Sequence, residues 1–105
     1  MKNYLVCYYI LQQCMFETLE DSLCELLNRI SPELWEDGKP TDEQLYNEWS
    51  SIIDTEKMTV SRMQKSISEK LSDLEGDFEK THSVLGGKSF EYYYIQAIER
   101  AEEYL

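Results

Sequence analysis

The sequence predicts an all-α protein: a compact bundle of about four helices forming a single domain over residues 1–105. Three observations predict it. Apolar residues recur at three- and four-residue steps over long stretches, the period of a helix with one buried face. Only four glycines and two prolines interrupt 105 residues rich in leucine, glutamate, serine and lysine, a composition that favours helix over sheet. Hydrophobic residues make up 42% of the chain, which suits a core that closes without metals or disulfides.

The first predicted helix runs from Asn3 to Ile30. Leu5, Tyr8, Tyr9, Met15, Phe16, Leu19, Leu23, Leu26, Leu27 and Ile30 give it a wide apolar face. Its opening run, Tyr4–Leu11, is rich in aromatic and β-branched residues and also reads as a short buried strand, so an α+β domain with an N-terminal strand is the alternative fold. Ser31-Pro32 ends the element, because proline cannot continue the hydrogen-bond ladder. Residues 31–40 read as a loop, with Asp37-Gly38 as a turn signal. Thr41 is the expected N-cap of the second helix, Asp42–Ile53, with Gln44 as its capping-box partner. Leu45, Trp49, Ile52 and Ile53 line the inner side of that helix, and Tyr46 flanks them.

The third helix is predicted over Thr59–Leu85, along a stripe of Val60, Met63, Ile67, Leu71, Leu74, Phe78 and Leu85 with heptad-like spacing. Gly76 lies on its outer face and bends or breaks it, and Gly86-Gly87 stops it. Ser89 can cap the last helix, Phe90–Tyr104. There Phe90, Tyr93, Tyr94, Ala97, Ile98, Ala101 and Tyr104 share one face, whereas Tyr92 and Ile95 project to the opposite side. Such a displaced pair suits wider burial or contact with a second copy of the chain, although single exposed apolar residues are ordinary.

Charge narrows the classes of partner. The formal net charge is −11, and residues 31–56 carry −7 of it, with eight acids against the single base Lys39. Nucleic acid and anionic membranes both call for clustered basic residues, and the chain has no such cluster. A basic protein is the partner that the charge allows, and solubility is the alternative use of the same charge. Within this segment both tryptophans stand among the acids. Trp35, in the loop, reads either as a plug that folds back with Leu34 over the bundle's end, the preferred reading, or as an exposed anchor for a partner. The expected partner-binding residues are Glu33, Trp35, Glu36, Asp37, Asp42, Glu43 and Glu48.

Signals of catalysis are scarce. The lone histidine, His82, sits at the edge of an apolar stripe, which suits a structural role. Gly86-Gly87 lacks the lysine of a phosphate loop, and there is no HExxH or GxSxG motif. Glu36, Asp37, Asp42 and Glu43 lack EF-hand spacing. Cys7, Cys14 and Cys24 are odd in number and lack CxxC spacing, so they read as buried free thiols in a reducing compartment. On one continuous helix Cys7 and Cys24 would lie about 25 Å apart, too far for a shared zinc ion. The chain is therefore expected to be a non-catalytic, cytoplasmic protein without a cofactor or metal. Lys2 and the apolar run Tyr4–Leu11 are followed by Gln12-Gln13 rather than the small residues of a signal peptide, and no stretch is long enough to span a membrane.

Pro32-x-Leu34-Trp35-x-Asp37, followed by Asp42-x-x-x-Tyr46-x-Glu48-Trp49, resembles a motif of small helical bacterial proteins. In size, acidity and helical character the chain resembles immunity proteins that neutralise bacterial toxins. That resemblance implies an acidic face directed at a basic toxin, and it implicates Glu33, Glu36, Asp37, Asp42, Glu43 and Glu48. The alternative role is a self-associating structural or adaptor protein, joined through Tyr92 and Ile95 or through the long third helix.

Overall fold

The computed structural model describes residues 2–36, 38–53 and 59–104, with the side chains of residues 52 and 53 outside that description. Among the described residues every regular element is helical. They are α1 (Lys2–Thr18), α2 (Asp21–Ile30), a 3-10 helix (Pro32–Leu34), α3 (Glu43–Ile53), α4 (Val60–Ser72), α5 (Glu79–Leu85) and α6 (Phe90–Tyr104). The all-α class is as expected. The expected count of about four helices is corrected to six α-helices among the described residues, because two of the predicted helices are each split in two.

The middle of the bundle is α1, which packs most extensively against α6 and also against α2, α3 and α5. Every residue from Tyr4 to Leu11 is buried. Such a run lacks an amphipathic period because neighbours surround it on all sides. A helix satisfies its backbone groups internally, so this position needs no strand partner. That is the physical reason the N-terminal strand alternative fails here.

The first split falls at Leu19, whose φ of +54° lies in the left-handed region. Its N–H donates to the Met15 carbonyl (2.9 Å), closing the end of α1. A new helix then begins with Asp21 in its first turn. The break turns the chain back, so Phe16 and Leu19, expected on a buried face, are 62% and 72% exposed. It also places Cys24 on the surface of α2, a correction to its expected burial, whereas Cys7 and Cys14 are buried as expected. Burial pushes the Cys14 thiol up to about 12.

The second split separates α4 from α5 around Gly76, at φ +134°. A Cβ there would stand 3.0 Å from the Ser22 hydroxyl oxygen and 3.2 Å from the Phe78 ring. The Asp77 N–H donates to that same Ser22 oxygen (3.0 Å). The two interruptions therefore dock against each other, α1–α2 on α4–α5. Thr59 caps α4 by accepting from the Arg62 N–H (3.2 Å).

Candidate partner-binding surface

The acidic loop is held by the end of α2 and by α1. Ser31 caps the 3-10 helix, accepting from the Glu33 N–H (3.3 Å) and donating to the Tyr8 hydroxyl (3.0 Å). Pro32, buried, fixes the first position of that short helix. Glu33 and Leu34 consequently face solvent, with Leu34 53% exposed.

Trp35 turns the other way. It is half-buried and meets Tyr46 edge to face at 5.3 Å between ring centroids. Tyr4 lies 6.0 Å from Trp35 and 4.9 Å from Tyr46, distances at which aromatic pairs attract beyond simple area burial. The Tyr4 hydroxyl donates to the Ile30 carbonyl at the end of α2. Burial, followed by its neighbours Cys7 and Tyr46, drives that hydroxyl far above the ordinary tyrosine range. Trp35 is thus the plug, and Leu34, expected to fold back with it, stays outside. The Trp35 Nε1 is buried without a hydrogen-bond partner.

Beyond Trp35 the chain turns sharply. The Lys39 N–H donates to the Glu36 carbonyl (2.9 Å), and Gly38 takes φ +73°. Glu36 and Lys39 are both exposed. Asp37 lies outside the described residues.

Asp42 has structural duties. Its Oδ1 accepts from the Leu45 N–H (3.0 Å), so Asp42 caps α3. Its Oδ2 accepts from Arg29 Nε (3.0 Å) and Nη2 (2.7 Å). The Leu45 hydrogen bond first, and Arg29 next, hold the Asp42 carboxyl below its ordinary range. The expected Thr41 cap is corrected: its hydroxyl donates to the Leu34 carbonyl (3.4 Å) and ties the loop instead. Gln44 reaches forward to Glu48 (3.3 Å) rather than back to a capping box. Glu43 and Glu48 are exposed on α3, but five residues apart on a helix they point about 140° from each other. They therefore do not form one patch on their own.

Two hollows adjoin the loop. One, of about 430 Å³, is lined by Leu34, Glu36, Lys39, Pro40 and Thr41. The other, of about 240 Å³, runs between α1 and α2, and its walls include Tyr8, Gln12, Met15, Phe16, Cys24 and Leu27 as well as Glu33 and Leu34. Leu34 is a wall of both. Of the groove's lining residues only Glu33 was among those expected to bind a partner, and the break that opens the groove was not expected. The one available sign was the string Glu17-Thr18-Leu19-Glu20-Asp21-Ser22, whose polar and acidic residues suit a fresh helix start.

Among the described residues no three histidine, cysteine, aspartate or glutamate side chains are grouped so as to hold a metal ion. No described helix is long and apolar enough to cross a membrane. On α6, Tyr92 and Ile95 are 60% and 51% exposed. No protein-family model, curated protein or solved structure matched the chain.

Proposed function

We propose that this chain is a non-catalytic binding protein whose acidic loop receives a basic protein, in the manner of an immunity-type inhibitor. One observation carries the reading: Glu33 and Glu36 stand exposed on either side of the exposed Leu34, on a loop pinned from beneath by Trp35 and Ser31. A pinned loop loses little entropy on binding. Arg29, the one cation of α2, is engaged by Asp42, and Lys39 is the single base of the loop against Glu33, Glu36 and Asp37, so the loop keeps a net negative charge. Acids around an apolar residue draw in a cationic partner and disfavour an anionic one. In this reading Glu33 and Glu36 make the principal contacts, Glu43 and Glu48 extend the field along α3, and Trp35 and Asp42 hold the surface in shape.

The test begins with proteins captured on the immobilised chain, each then purified and titrated against wild type and against Glu33→Lys/Glu36→Lys. A genuine partner is expected to bind the double variant about tenfold or more weakly. Equal affinity for both forms would overturn the reading.

The exposed pair Tyr92 and Ile95 supports a second reading, self-association through α6. Light scattering tests it directly: a monomer at high concentration removes it, and a dimer abolished by Tyr92→Ser/Ile95→Ser supports it.

A further inference from the structure

The groove between α1 and α2 has chemistry of its own. Phe16 and Leu34 line it and are both more than half exposed. Of its described lining residues none is basic, and Glu33 stands at its edge. In the wall, Gln12 donates to the Tyr8 hydroxyl (3.3 Å), while its Oε1 has no hydrogen-bond partner. At about 240 Å³ the groove is smaller than a usual small-molecule site. It suits inserted side chains better than a free ligand.

Because Leu34 also walls the hollow that Glu36 and Lys39 line, the apolar groove and the loop form one continuous surface. We infer that this surface takes a cationic amphipathic helix of the partner protein, with apolar side chains between Phe16 and Leu34 and lysine or arginine on Glu33 and Glu36. This rests on the acidic-loop reading and supplies the shape of the basic partner. Charge decides the occupant. A second copy of the chain would bring another acidic rim against the first, at −11 per chain, and an anionic membrane would meet the same repulsion. A helix with apolar residues at three- and four-residue steps matches a groove between two helices.

Cys24 provides a local reporter, because it is exposed in the groove wall while Cys7 and Cys14 are buried. The probes are two synthetic peptides of equal charge. One is an amphipathic helix of leucine and lysine, and the other is a lysine and serine peptide without an apolar face. Binding is measured at low salt, together with the rate at which N-ethylmaleimide alkylates Cys24. At saturation the amphipathic helix is expected to slow alkylation about tenfold, whereas the serine peptide leaves it unchanged. Phe16→Ser/Leu34→Ser, both at exposed positions, is expected to weaken the amphipathic helix about tenfold. If that peptide binds but Cys24 reacts at its free rate, the groove proposal falls and the acidic loop survives. If neither peptide binds, both fall. Protection of Cys24 that persists undiminished in Glu33→Lys/Glu36→Lys would leave an apolar groove and overturn the cationic occupant.

Discussion

The Glu20 carboxylate, between α1 and α2, caps a helix sixty residues further along the chain by binding Thr81. Its Oε1 accepts from both the Thr81 hydroxyl (2.7 Å) and the Thr81 N–H (3.0 Å), and its Oε2 accepts from the Lys80 N–H (2.9 Å). These are N–H groups of the first turn of α5, which has no internal acceptor for them. The break at Leu19 thus satisfies the break at Gly76, and α5 owes its start to a residue from another part of the chain.

That contact predicts a pH-dependent stability. Partial burial raises the Glu20 carboxyl, but hydrogen bonds from Thr81 and Lys80 outweigh it and leave it below its ordinary range. A depressed folded value means stability that is present above the unfolded glutamate range and lost as pH falls through the folded value. Glu20→Gln keeps the shape but removes the charge and one acceptor. It is expected to cost about 1 kcal/mol near neutral pH, with the difference from wild type shrinking as acid protonates Glu20. Urea unfolding of both proteins from neutral pH downward checks this.

Leu19 holds a left-handed backbone that glycine adopts without steric cost. Its side chain is largely solvent-exposed, so little packing is lost on its removal. Leu19→Gly is therefore expected to stabilise the fold, by about 0.5–1 kcal/mol, read as a higher urea midpoint.

Gly76 presents the opposite case. At φ +134°, with the Ser22 oxygen 3.0 Å from any added Cβ, Gly76→Ala is expected to cost about 1–3 kcal/mol. Thermal unfolding measures it. Loss of the Asp77–Ser22 hydrogen bond would show as faster amide exchange at Asp77.

The Tyr93 hydroxyl donates to Glu17 and links α6 to α1. That hydrogen bond, with partial burial behind it, pushes Tyr93 up to about 12. A raised folded value contributes stability below the unfolded tyrosine range, lost as pH rises through the folded value. In an NMR titration Tyr93 is expected to ionise after the exposed tyrosines, and Glu17→Ala to return it toward about 10.

The helices themselves were legible in the sequence, and their interruptions were only partly so. Gly76 announced a break by its residue type, but its close approach to Ser22 depends on a contact 54 residues away in sequence, beyond any local pattern. Around Leu19 the polar string Glu17–Ser22 suits a helix start, but the left-handed residue itself was not legible, since leucine there contradicts local preference and is set by how α2 folds back. In the loop, adjacent Thr41 and Asp42 are both good caps, and Asp42 is the one that also meets Arg29. The acidic character of the loop could be read directly from composition. That Trp35 points in and Leu34 points out could not, because their directions are set by the Ser31 cap and its tie to Tyr8.

The most direct test of the acidic surface is the salt dependence of binding to a purified partner. The dissociation constant is measured from low to high ionic strength for wild type and for Glu33→Lys/Glu36→Lys. An acidic face that attracts a basic partner predicts affinity that falls steeply with salt in wild type, and a weaker, flatter response in the variant. Two superimposed curves would contradict it.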